Sequence, residues 1–161
     1  MMVERPWNYV SPMSSAGVQR FIFHYETTRN ARGAPGVKTI NEIAELVKAH
    51  RMEPALAINP GTPAEVLFPF HSVVNCFLIM TVEPGLGGQQ FLPNMLEKVK
   101  VLRSKFPEIE IELDGGVSLE NTKICGQAGA SKFVIGTALL RSRQRAEDIA
   151  QMRKDLFMIT G

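Results

Sequence analysis

The stretch Ile109-Glu110-Ile111-Glu112-Leu113-Asp114-Gly115-Gly116-Val117 decides how this chain is read. Ile109, Ile111 and Leu113 alternate with Glu110 and Glu112, the period-two pattern of a short strand. The strand ends in an acid, two glycines follow, and Ser118-Leu119-Glu120 opens a helical segment. An acid at the carboxyl end of a strand, then a glycine turn and a helix, is what a phosphate-handling α/β barrel uses for chemistry. Glycines carry no Cβ, so their backbone N–H groups can close on an anion. Taken alone, the same residues also read as an ordinary turn after a strand, so the rest of the chain has to decide.

At 161 residues the chain can bury one real core, and 45% hydrophobic and 21% charged residues fit a globular protein. A formal net charge of +2 with scattered Lys and Arg argues against nucleic acid as the main partner. Cys76 and Cys125 show neither metal-ligand spacing nor a disulfide framework, and both read as small core residues. No apolar run is long enough to span a bilayer, so no membrane partner is expected. The opening Met1-Met2-Val3-Glu4-Arg5-Pro6 lacks a secretory or transit pattern, which makes a cytoplasmic location the expectation.

Working outward from Asp114, strands and helices alternate. Met1-Met2-Val3 reads as the tail of a strand. Pro6 to Ser15 reads as a helix with Trp7, Tyr9, Val10 and Met13 on its apolar side, shortened or bent by Pro12. Arg20 to Glu26 is a strand, and Thr27 to Lys38, with Gly33, Pro35 and Gly36, a polar and mobile loop. Thr39 and Glu42 form a capping box ahead of the stripe Ile40, Ile43, Ala44 and Val47. Glu53 to Asn59 is a strand, and Thr62 can cap a short helix over Pro63 to Leu67. Val73 to Val82 suits a strand covered on both faces. A glycine-rich loop from Pro84 to Gln89 leads to a helix from Pro93 to Phe106, with Met95, Val99 and Leu102 on its buried side. After the Asp114 strand come a helix over Leu119 to Ala128 stopped by Gly129, a strand at Lys132 to Ile135, a turn at Gly136-Thr137, and an amphipathic helix over Ala146 to Phe157. The order is a helix followed by five strand–helix units, which predicts parallel strands joined by right-handed crossovers in an α/β domain.

With these motifs in place, the chain resembles the ribulose-phosphate 3-epimerase family, phosphate-binding (β/α)₈ TIM barrels. The resemblance is carried by Met1-Met2-Val3, Phe23-His24-Tyr25-Glu26, Ala57-Ile58-Asn59-Pro60-Gly61-Thr62, Met80-Thr81-Val82-Glu83-Pro84-Gly85-Leu86-Gly87-Gly88-Gln89 with Phe91, Leu113-Asp114-Gly115-Gly116-Val117, and Gly136-Thr137-Ala138. It implies interconversion of D-ribulose 5-phosphate and D-xylulose 5-phosphate, a reaction of the pentose phosphate pathway. Two aspartates on opposite faces exchange the C3 proton, and a divalent metal (Zn, Fe, Mn or Co) stabilises the ene-diolate. Asp114 corresponds to the second aspartate, as acid/base on one face and as metal ligand. Gly85, Leu86, Gly87 and Gly88 correspond to the loop that folds over substrate. Gly115, Gly116, Gly136 and Thr137 correspond to the backbone cradle for the phosphate. Met2 and Met80 correspond to methionines lining the site, and His24 to a structural histidine inside the barrel.

The resemblance also sets an expectation of incompleteness. Residues 1–161 read as a single incomplete TIM-barrel domain of about five strand–helix units, matching the C-terminal two-thirds of the family. The first aspartate, both metal-binding histidines and a substrate-contacting serine have no counterpart, and His24, His50 and His71 do not replace them. Such a chain alone is expected to be a very poor epimerase or inactive, with metal held weakly if at all. Five strands leave open edges, so a partner covers them, the chain is unstable, or the sequence is an incomplete gene model or splice form; the abrupt onset favours the last. The implied partners are a ketopentose 5-phosphate and a second copy, as a homodimer, or a full-length epimerase. A non-catalytic sugar-phosphate-binding or interaction protein, and an epimerase of a six-carbon sugar phosphate, are the competing readings.

Overall fold

A computed structural model describes residues 1–28 and 38–160, with side chains described up to residue 156. Five parallel strands form one sheet in the order β1-β2-β3-β4-β5, so each strand lies beside its successor in sequence. They are β1 (Arg20–His24), β2 (Glu53–Ile58), β3 (Cys76–Met80), β4 (Glu110–Asp114) and β5 (Lys132–Val134). The helices are α1 (Val10–Ser15), α2 (Ile40–Ala49), α3 (Leu96–Lys105), α4 (Leu119–Gln127), α5 (Thr137–Arg141) and α6 (Arg145–Thr160). The alternation expected from the sequence is therefore present as a parallel α/β sheet.

Both faces of the sheet are buried, by different side chains. On the helix side, Phe21, Phe23, Leu56, Ile58, Phe77, Ile79, Ile111 and Leu113 pack with Ile43, Val47, Val99 and Leu102. Full burial of each large side chain contributes roughly 1.5–3 kcal/mol. On the other face, Ala57, Leu78, Met80 and Val82 form a smaller cluster with Ile22. Because β3 contributes to both clusters, every one of its residues is buried, which explains its unbroken apolar run.

Below the smaller cluster the strands begin with charge. Arg20 contacts Glu53 at 2.7 Å and also pairs with Glu110, with Glu112 at 3.9 Å, while Lys132 reaches Glu110 at 2.9 Å. Contact between the first residues of β1 and β4, with two strands between them, means that the sheet curves around this face. The glutamates that alternate along β4 thus face a curved polar floor. Burial pushes the thiols of Cys76, beside Glu112, and of Cys125 up to about 12, which leaves both as inert core groups.

Several local expectations change. Met1 to Val3 adopt no strand, although the Met1 nitrogen donates to the carbonyl of Ile22. Pro6–Tyr9 form a 3₁₀ turn before α1, and Tyr9 is exposed rather than on the apolar side. β1 stops at His24 and passes into a 3₁₀ turn over Tyr25–Thr27. Thr62 does not cap the 3₁₀ helix Ala64–Phe70; its hydroxyl donates to Glu26 instead. Among its described side chains α6 buries only Met152, so it is far less amphipathic than expected. The short α5 after Gly136 was not foreseen, since five residues are too few to show a helical period. The capping box is present as predicted, with Thr39 N–H donating to Glu42 at 2.7 Å and Glu42 N–H donating to Thr39 Oγ1 at 3.3 Å. Most of the Thr27–Lys38 loop, Gly33, Pro35 and Gly36 included, lies outside the described residues.

Candidate active site

Asp114 is the last residue of β4 and opens onto a cavity of about 460 Å³ at the carboxyl ends of the strands. Its place is set by β3 and the segment that follows it. Met80 pairs in register with Asp114, and Thr81 N–H donates to the Asp114 carbonyl at 2.8 Å. The buried Thr81 hydroxyl lies 3.0 Å from that carbonyl and 2.5 Å from the carbonyl of Gly115. A threonine one residue past β3 thereby fixes the backbone on both sides of the acid's turn.

The glycines after Asp114 are required by close approach. A Cβ on Gly115 would lie 2.4 Å from Val82 Cγ2, and one on Gly116 2.6 Å from the backbone nitrogen of Phe91. Gly116 also has φ +64°, a left-handed value that L side chains avoid. The turn thus packs against the loop leaving β3, while both glycines still line the cavity. Asn121 links the turn to α4, its Nδ2 donating to Gly116 O at 3.0 Å and its Oδ1 accepting from Ser118 N–H at 2.9 Å. Gln89 braces the glycine-rich loop in the same manner, donating from Nε2 to Glu83 O at 2.6 Å and Leu86 O at 2.8 Å. Leu86, at the crest, is 80% exposed.

All the residues expected at the site line this one cavity: Met2, Met80, Gly85, Leu86, Gly87, Gly88, Asp114, Gly115, Gly116, Gly136 and Thr137. The structure adds lining residues that sequence reading missed, among them Glu83, Gln89, Ala138 and Arg141. Glu83, Gln89 and Ala138 lie inside the motifs that carry the resemblance. Arg141 could have been found from its spacing, four residues after Thr137, once a helix was assigned there.

Half-burial raises the pKa of the Asp114 carboxyl above the ordinary carboxylate value, and nearby His24 opposes the rise. A carboxylate that holds its proton more tightly than usual is better suited to take a proton from carbon. His24 is buried at the end of β1, with Nδ1 3.4 Å from Glu26 Oε2. Burial works against ionisation of Glu26. Hydrogen bonds from His24, the Asn59 N–H and the Thr62 hydroxyl outweigh it and hold the carboxyl at about 2. Lys98 secures the same corner by donating to the carbonyls of Asn59, Pro60 and Thr62 at 3.2, 2.6 and 2.6 Å. His24, Glu26 and Asn59 line a second cavity of about 490 Å³, which shares Met2 with the first. The other histidines serve elsewhere: His50 caps α2 and contacts Leu46 O, and His71 stacks on Phe106.

Among the described residues, no three His, Cys, Asp or Glu side chains converge as a metal ion needs. The donors present therefore do not fit the divalent ion that the resemblance implied, since the described cavity lining offers only the carboxylates of Asp114 and Glu83.

Comparison with known proteins carries the reading further. The model of the ribulose-phosphate 3 epimerase family matches residues 1–140. The chain is 38% identical over 159 residues to the cytoplasmic isoform of ribulose-phosphate 3-epimerase from Oryza sativa subsp. japonica, covering 97% of this chain and 66% of the relative. It is 38% identical over 156 residues to the Candida glabrata ribulose-phosphate 3-epimerase, covering 97% and 60%. The chain thus spans less than two-thirds of the length of these relatives. A solved 3-hexulose-6-phosphate synthase superposes with TM-score 0.67 over 94% of this chain and 68% of that one, at 15% identity, a likeness of fold alone. Together, the match over most of the chain and the strand-end acid with its glycine turns place this protein in the ribulose-phosphate 3-epimerase family.

Proposed function

We propose that this chain carries the phosphate-gripping, one-face acid/base part of a site that interconverts D-ribulose 5-phosphate and D-xylulose 5-phosphate. The observation that carries the reading is the shared cavity: half-buried Asp114 opens onto the same space as Gly115, Gly116, Gly136 and Thr137. Backbone N–H groups at those turns can receive the phosphate, and the glycine-rich loop over the mouth can exclude water. Asp114 takes the C3 proton, the C–H electron pair passes into an ene-diolate, and a proton returned to the opposite face gives the epimer. That return needs a second proton carrier facing Asp114 across the substrate, the part that the resemblance gives to a first aspartate without a counterpart in residues 1–161. The cytoplasmic designation of the rice relative and the two buried free cysteines support a reducing compartment for this chain as well.

Incubation with D-ribulose 5-phosphate in D₂O, followed by NMR, tests the reading. Slow, Asp114-dependent deuterium incorporation at C3 with little net epimer is expected. Equal incorporation by the D114N variant would overturn the role of Asp114. A purely sugar-phosphate-binding role is the second reading, favoured by the lack of a metal-holding cluster among the described residues. It predicts binding with no exchange at all.

A further inference from the structure

We propose that Arg141 supplies the cation that neutralises the substrate's phosphate, an assignment that rests on the site reading above and adds a charged side chain to a backbone cradle. Three side chains in the cavity lining carry charge: Glu83, Asp114 and Arg141. Two carboxylates repel a phosphate dianion, and backbone amides offer only partial charges against them. Arg141 is the basic residue in that lining.

Its placement suits the task. Thr137 and Arg141 stand four residues apart on α5, hence on one face of the helix, and both line the cavity. Thr137 is also where the far loop comes close, since a Cβ on Gly87 would lie 3.9 Å from Thr137 Oγ1. The end of α5 is held by Arg145, which donates to Leu139 O at 2.9 Å and Leu140 O at 3.0 Å. The backbone that carries Arg141 is therefore anchored, while the exposed Arg141 guanidinium makes no hydrogen bond or ion pair with any described residue. A planar guanidinium free of partners among the described residues, at the edge of an anion cradle, can grip a phosphate with two parallel hydrogen bonds.

The test is calorimetric titration of the chain and its R141Q and R141K variants with D-ribulose 5-phosphate, inorganic phosphate and unphosphorylated D-ribulose, at pH 8 and pH 5.5. A phosphomonoester is a dianion at the higher pH and mostly a monoanion at the lower, because its second pKa is near 6. Glu83 and Asp114 also face the cavity and weaken anion binding in every variant, so the readout is the ratio of wild type to variant at each pH. R141Q should weaken sugar-phosphate affinity about 10- to 30-fold at pH 8 and clearly less at pH 5.5, with R141K between. Thermal midpoints should match wild type, because the side chain has no partner among the described residues. Equal affinity of R141Q and wild type would remove the assignment and leave the site reading standing. A loss of the same size at both pH values, or one shared by D-ribulose, would also remove it, as a general disturbance. A wild-type chain that binds neither phosphate compound would overturn the assignment and the site reading together.

Discussion

Asp114 ends β4 and Glu26 lies two residues past β1, and the surroundings of these two carboxylates push them in opposite directions. Half-burial raises Asp114, so its base form should be lost at a higher pH than for an ordinary carboxylate. Any C3 exchange should therefore decline on its acid side above the usual carboxylate range, which a pH–rate profile in D₂O reads directly. A charge held against desolvation also opposes folding, so D114N should raise the thermal midpoint while removing exchange, with phosphate affinity kept or somewhat tightened because one repelling carboxylate leaves the cavity. Glu26 is the reverse case. Its folded-state value of about 2, against 4.5 unperturbed, contributes stability that is full above pH 4.5 and lost as pH falls toward 2. E26Q should lose about 1–2 kcal/mol at pH 7, after allowance for solvent screening, with the gap closing through that acid window in urea melts. A gap that stayed constant from pH 7 to pH 2 would disprove the linkage. The sequence marked Asp114 well, since a strand-ending acid before two glycines is a local pattern. It said little about Glu26, whose partners Asn59 and Thr62 lie more than thirty residues away.

At the scale of elements, the turn after β4 and the segment leaving β3 form one unit. Gly116→Ala would place a methyl 2.6 Å from the Phe91 nitrogen, at a φ suited to glycine, and should cost about 2–4 kcal/mol in denaturant melts. Thr81→Val removes the hydroxyl shared by the Asp114 and Gly115 carbonyls and should cost about 1–2 kcal/mol. A neutral result for either would mean that the turn is held by other contacts. Strands and long helices were readable because their periods are: Ile40, Ile43, Ala44 and Val47 mark α2, and the apolar run marks β3. Thr62 was misjudged because a hydroxyl before a short helix reads as a cap, whereas the longer-range partner Glu26 won it. The short α5, and with it Arg141, escaped because one helical turn has no period to detect.

At the scale of the molecule, five parallel strands curve around a face with an ion-pair floor, a thin apolar layer and an acid at the rim. That layering shows why β4 alternates isoleucine and leucine with glutamate: the apolar side packs under helices and the acidic side lines the curve. It also explains how residues from Met80 to Thr137 reach a single cavity, because parallel strands present all their carboxyl ends on one side. The most direct measurement is an amide NMR titration of ¹⁵N-labelled chain with D-ribulose 5-phosphate. The N–H resonances of Gly116, Gly136 and Thr137 should shift together and saturate at one affinity, with those of His50 and His71 unmoved. Saturable shifts that bypassed Gly116, Gly136 and Thr137, or none at millimolar ligand, would contradict the site described here.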